Sequence, residues 1–212
     1  MNRTAALSAV LLAAVPVAGA SAAPKPPAAA GAPTIKSAPA IVVFGAATTI
    51  SGKAGGAKQG ATVALQRDPT PLGDGWQDFK TATVGKGGSY SFTVPPFIAT
   101  SYRVVAEGKP SAGTLVKVRP SVGLSLARSG SLTRFSGSVK PARDGARVSI
   151  QRKSPSGSWK TVKTATLKDA GTTRSTYSAR LTVRSAGTYR TKLVAATGYL
   201  TGTSRERAVS AR

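Results

Sequence analysis

The sequence predicts an all-β protein that contains two similar antiparallel β-sandwiches in tandem. Apolar residues recur at every second position over short segments, which is the period of a half-buried strand. Clusters of Gly, Pro and Asp separate these segments, as turns between antiparallel strands do. In addition, most of the chain is one pattern written twice, with a shift of 85 residues at its best-matched block.

The first 22 residues have the features of a secretory signal peptide. Arg3 supplies a positive charge and an apolar run over residues 5–15 follows. The best cleavage triplet is Ala20-Ser21-Ala22, so we expect the mature chain to begin at Ala23. An uncleaved anchor over residues 5–23 is the alternative, but that run is barely long enough to span a bilayer. We expect a secreted or cell-envelope-associated protein without a membrane span after cleavage.

Residues 23–33 are predicted to form a Pro- and Ala-rich spacer, because they hold too few large apolar side chains to fold. Residues 34–120 form the first repeat and residues 121–212 form the second. Matching blocks recur in the same order, and their shifts of 83 to 87 residues indicate small differences in loop length. These blocks pair Ile50-Ser51-Gly52 with Phe135-Ser136-Gly137, Val63-Ala64-Leu65-Gln66-Arg67 with Val148-Ser149-Ile150-Gln151-Arg152, Trp76 with Trp159, Lys80-Thr81-Ala82-Thr83 with Lys163-Thr164-Ala165-Thr166, Tyr90-Ser91 with Tyr177-Ser178, and Tyr102-Arg103 with Tyr189-Arg190.

Each repeat is predicted to hold six or seven strands and no convincing helix. The alternating residues expected to face the core of the first repeat are Val63, Leu65, Tyr90, Phe92, Val94, Tyr102, Val104 and Ala106. Those of the second repeat are Val148, Ile150, Tyr177, Ala179, Leu181, Val183, Tyr189, Thr191, Leu193 and Ala195. The segment from Lys117 to Val122 joins the repeats without Gly or a long polar stretch, so we expect a fairly stiff rod.

The order of these blocks resembles that of bacterial immunoglobulin-like (Ig-like) modules, which occur in tandem in secreted and surface proteins. A strand ends in Gln-Arg, a Trp-led strand ends in Thr-Ala-Thr, and Tyr-Ser-Phe and Tyr-Arg-Val follow. The resemblance covers nearly all of residues 34–212 and implies two Ig-like Greek-key β-sandwiches. It also implies that Tyr102 and Tyr189 are tyrosine corners, whose hydroxyls bond to backbone at the sandwich edge. Its motifs are strand and turn signatures that carry no catalytic residue.

Composition excludes most familiar enzyme chemistry, since the 212 residues include neither His nor Cys. Ser-His-Asp and Cys-His triads, zinc sites with nitrogen and sulfur ligands, haem ligation and disulfides are all ruled out. The one local group of acids is Asp68, Asp74 and Asp78. Turn capping is the favoured reading of these acids, and a carboxylate or calcium site is the alternative. We therefore predict no catalytic residue, no metal site and no cofactor.

Trp76 and Trp159 occupy equivalent positions at the start of a strand. An exposed indole offers a flat face on which a sugar ring or a base can stack. The alternative is that each indole packs across the hairpin beneath it. We expect the same role for both copies.

Charge is the feature that a generic β-sandwich does not require. The chain carries 30 basic and 7 acidic residues, for a net charge of +23. The first repeat accounts for +6 and the second for +15. Strand alternation turns Arg180 and Arg184 away from the core if Leu181 and Val183 face it. The candidate residues for binding an anionic polymer are Arg147, Arg152, Lys160, Lys163, Arg174, Arg180, Arg184, Arg190 and Lys192.

These features predict a secreted, non-catalytic and monomeric pair of Ig-like modules that associates electrostatically with an anionic partner. That partner is a wall polymer, an acidic polysaccharide or nucleic acid, since a field of this size attracts polyanions. The alternative is an inert structural module, or a module that binds another envelope protein, whose charge serves solubility only.

Overall fold

The computed structural model describes residues 31–73 and 75–210. The predicted signal peptide, most of the spacer and Asp74 lie outside the described residues. The strands of the first repeat are β1 (Lys36–Ala38), β2 (Ile41–Val43), β3 (Thr48–Lys53), β4 (Thr62–Pro69), β5 (Gln77–Thr83), β6 (Ser89–Val94), β7 (Thr100–Ala106), β8 (Lys109–Pro110) and β9 (Thr114–Arg119). The strands of the second repeat are β10 (Ser121–Val122), β11 (Ser125–Ser129), β12 (Leu132–Lys140), β13 (Arg147–Lys153), β14 (Trp159–Thr166), β15 (Lys168–Asp169), β16 (Ser175–Thr182), β17 (Gly187–Leu193), β18 (Gly202–Thr203) and β19 (Arg207–Val209).

The described part of the chain is all-β, apart from one 3₁₀ turn at Lys86–Gly88. It holds more strands than the sequence predicts, because several two- and three-residue segments pair along the sheet edges. Such segments are too short to show a two-residue period. In residues 31–73 and 75–210, no helix is long and apolar enough to cross a membrane.

The strands form four sheets, two in each repeat. Sheet I has the order β1-β3-β6, and sheet II has the order β2-β9-β7-β4-β5 with β8 on β7. Sheet III has the order β10-β12-β16-β15 with β11 on β12, and sheet IV has the order β14-β13-β17-β18 with β19 on β17. Among the described strands, every pairing is antiparallel except that of β2 with β9.

The two repeats share their strand pairing. Strands β3 and β6 pair as β12 and β16 do, and β4 pairs with β5 and β7 as β13 pairs with β14 and β17. A register shift falls between Leu65 and Gln66 in one copy and between Ile150 and Gln151 in the other. Because even this irregularity recurs at the matching position, the sequence duplication is also a duplication of β structure.

In each repeat, the inner faces of the two sheets share apolar clusters. In the second repeat, Phe135 and Ala179 of sheet III pack with Ile150 and Tyr189 of sheet IV. The Phe135 and Tyr189 rings lie 5.0 Å apart between centroids. Burying one large apolar side chain contributes roughly 1.5–3 kcal/mol, so these clusters supply most of the folding free energy in a chain without Cys.

Strand alternation identified nearly all of the core residues correctly. Buried residues that were expected in the core are Val63, Leu65, Tyr90, Phe92, Val94, Tyr102, Val104, Ala106, Val148, Ile150, Tyr177, Ala179, Val183, Tyr189, Thr191 and Leu193. Leu181 is only partly buried. Ala195 is exposed, because β17 ends at Leu193 and a loop begins there.

The tyrosine hydroxyls that bond to backbone differ from those expected. Among the described residues, the Tyr90 hydroxyl donates to the Thr34 carbonyl and the Tyr177 hydroxyl donates to the Gly123 carbonyl at 2.7 Å. All four tyrosines lie within the apolar clusters, but no hydroxyl bond to backbone is found for Tyr102 or Tyr189, for which this role was predicted, among the described residues. The prediction was wrong because it placed the tether at the start of β7 and β17 rather than on β6 and β16.

A loop of the second repeat contacts the first repeat. The Val104 amide donates to Ser111 Oγ, and the Thr191 amide makes the equivalent bond to Ser204 Oγ. Val104 and Thr191 are 87 residues apart, whereas Ser111 and Ser204 are 93 residues apart. The connection from β17 to β18 is therefore six residues longer than that from β7 to β8. We call these extra residues and their flanks, residues 194–201, the clasp loop.

The clasp loop makes backbone bonds across the junction. The Ala99 amide donates to the Gly198 carbonyl at 2.9 Å, and the Leu200 amide donates to the Val118 carbonyl at 2.9 Å. The Tyr199 hydroxyl donates to the Phe97 carbonyl, and its ring packs against the apolar cluster of the first repeat. The repeats therefore contact each other through more than the strand connection alone.

Candidate functional site

The second repeat has three acidic groups to offset its cations, and only one of them pairs with a cation among the described residues. Asp144 accepts a hydrogen bond from Ser175 Oγ, and Asp169 accepts one from the Gly171 amide at 2.7 Å. Glu206 forms the one ion pair found among the described residues, with Lys153 at 3.7 Å. The field of the second repeat is therefore left largely uncompensated.

Arg147, Arg190 and Lys192 lie on the outer face of sheet IV. Arg190 and Lys192 alternate along β17 with residues whose side chains enter the core. Arg147 immediately precedes the buried Val148 on β13 and is exposed. These orientations agree with the predicted alternation, and they place three of the candidate cations on one surface.

Arg190 is held against Trp159 on that outer face. Its guanidinium carbon lies 4.1 Å from the centroid of the indole ring. Its Nε donates to Oε1 of Gln151 at 2.9 Å. The ammonium of Lys153 lies 5.7 Å from the same ring. Contacts of this kind attract a cation to the face of the indole, so they fix the direction in which Arg190 presents its charge.

The first repeat has the same contact between tryptophan and arginine, but there a carboxylate bonds to the glutamine that holds the arginine. Arg103 lies 4.5 Å from the ring centroid of Trp76, and its Nε donates to Gln66 Oε1 at 2.7 Å. Gln66 Nε2 in turn donates to Asp78 Oδ1 at 2.9 Å. The residue at the corresponding cross-strand position of the second repeat is Thr161. The Asp78 carboxylate therefore offsets the charge of Arg103 in the first repeat. In the second repeat the neutral hydroxyl of Thr161 takes its place, and the charge of Arg190 is not offset there.

The two indoles have the same environment, as expected, but that environment is not the core beneath the hairpin. Each tryptophan packs against an arginine of its own sheet, on the outer face. Stacking of Trp76 or Trp159 on a ligand stays a prediction, and it would have to share the ring with Arg103 or Arg190. The sequence does contain a sign of the contact between tryptophan and arginine, because the Trp, Gln and Arg residues that form it all recur at matching positions of the two repeats.

Arg152 lies on the core-facing side of β13 and is partly exposed near the end of that strand. It lies opposite Tyr189 in the register, on the core side of β13. One of its terminal nitrogens donates to Ser185 Oγ at 2.8 Å and to the Ala186 carbonyl at 2.7 Å. Its buried Nε has no partner among the described atoms. Arg152 also lines a surface depression with Lys153 and Lys160, so its part in binding an anionic polymer stays a prediction.

Lys160 and Lys163 lie on β14, which is an edge strand of sheet IV. In the register they lie opposite Arg152 and Ile150, so they occupy the core-facing side of that edge. Both are exposed, since no further strand covers them in the described part of the chain. Charged residues on an edge strand discourage pairing with a second chain, which gives these lysines a role independent of any ligand.

The remaining candidates surround β16 of sheet III. Arg174 lies in the turn before this strand, Arg180 lies on its outer face and Arg184 follows its end. All three are exposed. Arg180 lies opposite Arg134 of β12, a residue that the sequence analysis did not single out. Among the candidates on outer faces, Arg180 lies on sheet III and Arg147, Arg190 and Lys192 lie on sheet IV. These two faces are opposite, because the two sheets enclose the core between them.

The three aspartates of the first repeat do not form a described metal site. Asp78 is bonded to Gln66, and the Asp68 carboxylate lies beside Gly73. Asp74 lies outside the described residues. Within residues 31–73 and 75–210, no group of three or more potential metal ligands comes together.

No protein-family model and no curated protein matches the chain. A crystal structure of a tetra-tandem repeat in the extending region of a large adhesion protein matches 85% of this chain and 50% of the other. The sequence identity is 17% and the TM-score is 0.35. This chain therefore spans about half the length of that neighbour.

Proposed function

We propose that the protein is a non-catalytic attachment module that acts outside the cytoplasm and binds an anionic polymer through its second repeat. In this proposal, the signal peptide is removed, residues 23–33 are a spacer, and residues 34–120 and 121–212 are Ig-like Greek-key sandwiches. The observation that carries the proposal is the uneven charge of two otherwise similar repeats, +6 against +15. A module that served only as a spacer would not need a much higher net charge on one repeat than on the other.

The contacts in the second repeat support this proposal. Arg174, Arg180 and Arg184 are exposed, and none of them has an ion-pair partner among the described residues. Arg guanidinium groups bind phosphate, sulfate and carboxylate through paired hydrogen bonds, which are stronger than neutral ones. An extended polymer with regularly spaced anions is the partner that many separated cations fit best.

An anionic glycopolymer is favoured over single-stranded nucleic acid. Proteins that bind single strands stack the bases on exposed aromatic rings. The two tryptophans here already pack against Arg103 and Arg190. A polymer of sugar or polyol units linked by phosphate, or bearing carboxylate or sulfate, needs no such platform.

Binding by two charge-matched variants tests the proposal. Arg174→Gln, Arg180→Gln and Arg184→Gln together remove three exposed cations of the second repeat, and Lys36→Gln, Lys58→Gln and Lys86→Gln remove three of the first. We expect the second-repeat variant to lose at least about tenfold in affinity for poly(glycerol phosphate) and the first-repeat variant to lose far less. Equal losses would contradict a function located in the second repeat.

A second candidate function is binding of a protein partner, and one observation favours it. Strand β2 is an edge of sheet II and presents Ile41 and Val43, which are 43% and 48% exposed. A partner that added a strand there would bind mainly through backbone hydrogen bonds. Its affinity would change little with salt concentration, which distinguishes it from polymer binding.

A further inference from the structure

One pair of outward residues differs in kind between the two repeats. In sheet I, Thr49 lies directly opposite Thr93. The duplication places Arg134 at the first of these positions and Arg180 at the second, and these two residues again lie directly opposite each other. The two repeats keep the same register at this point, so the difference is a substitution at fixed geometry.

The next outward pair did not change. Ser51 lies opposite Ser91 in sheet I, and Ser136 lies opposite Ser178 in sheet III. The exchange of Thr for Arg is therefore not shared by this neighbouring pair. The outward pair beyond it also differs, with Lys53 opposite Ser89 in sheet I and Ser138 opposite Thr176 in sheet III.

Folding alone does not explain the arginine pair. Residues directly opposite in an antiparallel sheet have Cβ atoms within about 5.5 Å of each other, where two Thr side chains stabilise pairing and two like charges weaken it. Arg134 and Arg180 are both exposed, and no carboxylate pairs with either among the described residues. An anion bound between the two guanidinium groups would remove the repulsion.

The surroundings of the pair are shaped to receive such an anion. Arg134 and Arg180 line a shallow depression of about 380 Å³ together with Arg128 and Leu132. Arg128 donates to the Ser210 carbonyl at 2.8 Å, which fixes its position while leaving its charge uncompensated. Three arginine residues therefore border one depression, and Arg134 and Arg180 are the two on the outer face of sheet III.

A second depression continues from the first along the same outer face. It measures about 470 Å³, and Arg134 lines both. Hydroxyl groups of Ser136, Ser178 and Thr176 line it between the arginine pair and Lys168. Lys168 lies opposite Thr176, four residues along β16 from Arg180, which is about 13 Å at the rise of a strand.

We propose that Arg134 and Arg180 together bind one phosphate, sulfate or carboxylate group of an extended anionic glycopolymer, and that Lys168 binds a following anion of the same chain. The hydroxyl row between them contacts the intervening sugar or polyol unit. This inference rests on the proposed function, since it names the binding site that the second repeat uses. Tyr177 is the one aromatic residue among those that line the two depressions, and its side chain is buried. The face therefore offers no exposed ring on which a base can stack, and it suits a glycopolymer better than single-stranded nucleic acid.

The test replaces the arginine pair of the second repeat with the threonine pair found at the matching positions of the first. Arg134→Thr with Arg180→Thr recreates the Thr pair of sheet I, and Arg205→Thr with Arg207→Thr removes two exposed cations elsewhere in the same repeat. Binding of the full mature chain is measured by calorimetry with poly(glycerol phosphate), a uronic acid polysaccharide, single-stranded DNA and neutral dextran. Circular dichroism and thermal unfolding check that each variant is folded.

We expect the Arg134 and Arg180 double variant to unfold at or above the wild-type temperature and to lose at least about tenfold in affinity, since two charge-assisted contacts are removed. We expect the Arg205 and Arg207 variant to lose only about twofold, as a change in the general field would cause. If the Thr variant is unfolded, Arg134→Gln with Arg180→Gln replaces it. Installing Thr49→Arg and Thr93→Arg in the first repeat should raise affinity.

The outcomes separate the two levels of the proposal. If wild type binds and both double variants lose affinity equally, the arginine pair is not a site, although the second repeat still binds by its field. If wild type binds none of the anionic polymers at low salt, the proposed function itself fails. Stronger binding to single-stranded DNA than to the glycopolymers would overturn the ligand class, and preference between phosphate and uronate polymers identifies the anion.

Discussion

At the residue scale, two glycines in the middle of strands are required by the tyrosines that cross them. A Cβ atom built on Gly137 would lie 2.8 Å from the Tyr177 hydroxyl and closer still to the Gly123 carbonyl that this hydroxyl binds. The same hydroxyl oxygen lies 2.8 Å from Thr191 Oγ1 and accepts a hydrogen bond from it, because its single proton is donated to the Gly123 carbonyl. Gly52 has the same neighbours in the first repeat. The recurrence of a Ser-Gly pair in the sequence thus reflects a close backbone approach.

Gly137→Ala should destabilise the protein by about 2 kcal/mol or more, because backbone and the Tyr177 ring must move to admit the methyl group. Tyr177→Phe should cost about 1–3 kcal/mol through the loss of its hydrogen bonds. Urea unfolding of both variants measures these changes. An Ala variant as stable as wild type would mean that the close approach described here is not present in solution.

The same tyrosines predict a loss of stability at high pH. Burial raises the pKa of Tyr177 to about 12 and also raises the pKa of Tyr90 above its usual value. The folded state therefore keeps protons that the unfolded state releases above about pH 10. Their contribution to stability is complete below that pH and is lost as pH rises through the folded-state pKa. Unfolding free energy measured from about pH 8 to about pH 11 should fall less steeply for Tyr90→Phe with Tyr177→Phe; equal slopes would contradict this account.

At the element scale, the sequence predicted the long strands and missed the short ones. Strands β4, β6 and β7 and their copies show clear alternation, because one of their faces is buried and the other is exposed. Segments such as β8 and β18 are held by pairing with a neighbour, and nothing in two residues signals that neighbour. The clasp loop was missed for a related reason, since its contacts lie in the other repeat.

The candidate site was predicted only in part. The sequence gives the number of charged residues, but the order of the strands in each sheet decides which of them lie together. Alternation correctly turned Arg180 and Arg190 outward, but it could not tell that they lie on opposite faces. Arg134 was missed because its partner across the strands was unknown. The repeat alignment does hold the signal, since Arg134 matches Thr49 while the flanking Ser136 matches Ser51.

The edge strand β14 provides a prediction about association. Lys160→Val with Lys163→Val would leave an exposed apolar edge next to Val162, which is 41% exposed. Because unpaired apolar edges recruit further strands, we expect the variant to aggregate at a lower protein concentration than wild type. Light scattering across a concentration series measures this. Lys160→Arg with Lys163→Arg is the control and should behave as wild type; an unaltered Val variant would show that these lysines do not protect the edge.

At the scale of the whole molecule, the clasp loop determines how the repeats are joined. Hydrogen bonds from Ala99 to Gly198 and from Leu200 to Val118 cross the junction, and Tyr199 packs on the first repeat. Within the second repeat, the guanidinium of Arg143 lies 5.4 Å from the Tyr199 ring centroid and holds the ring in place. These contacts support the stiff arrangement expected from the short connection, which stays a prediction.

Shortening the clasp loop should loosen the junction without unfolding either repeat. Replacing residues 194–201 with the Glu-Gly turn of the first repeat keeps the pairing of β17 with β18 and deletes the inter-repeat contacts. We expect small-angle scattering to show a larger and more variable maximum dimension than wild type. Tyr199→Phe, which removes one hydrogen bond, is the milder control. Identical scattering curves would show that the clasp loop does not restrain the repeats.

The central claim is that the second repeat binds an anionic polymer by its charge. Binding of residues 23–212 to poly(glycerol phosphate), with neutral dextran as the control, tests it most directly across a salt series. We predict no binding to dextran and an affinity for the anionic polymer that falls at least about tenfold between about 50 and about 200 mM salt, because bound counterions are released. Absence of binding at low salt, or binding that does not change with salt, would contradict the account.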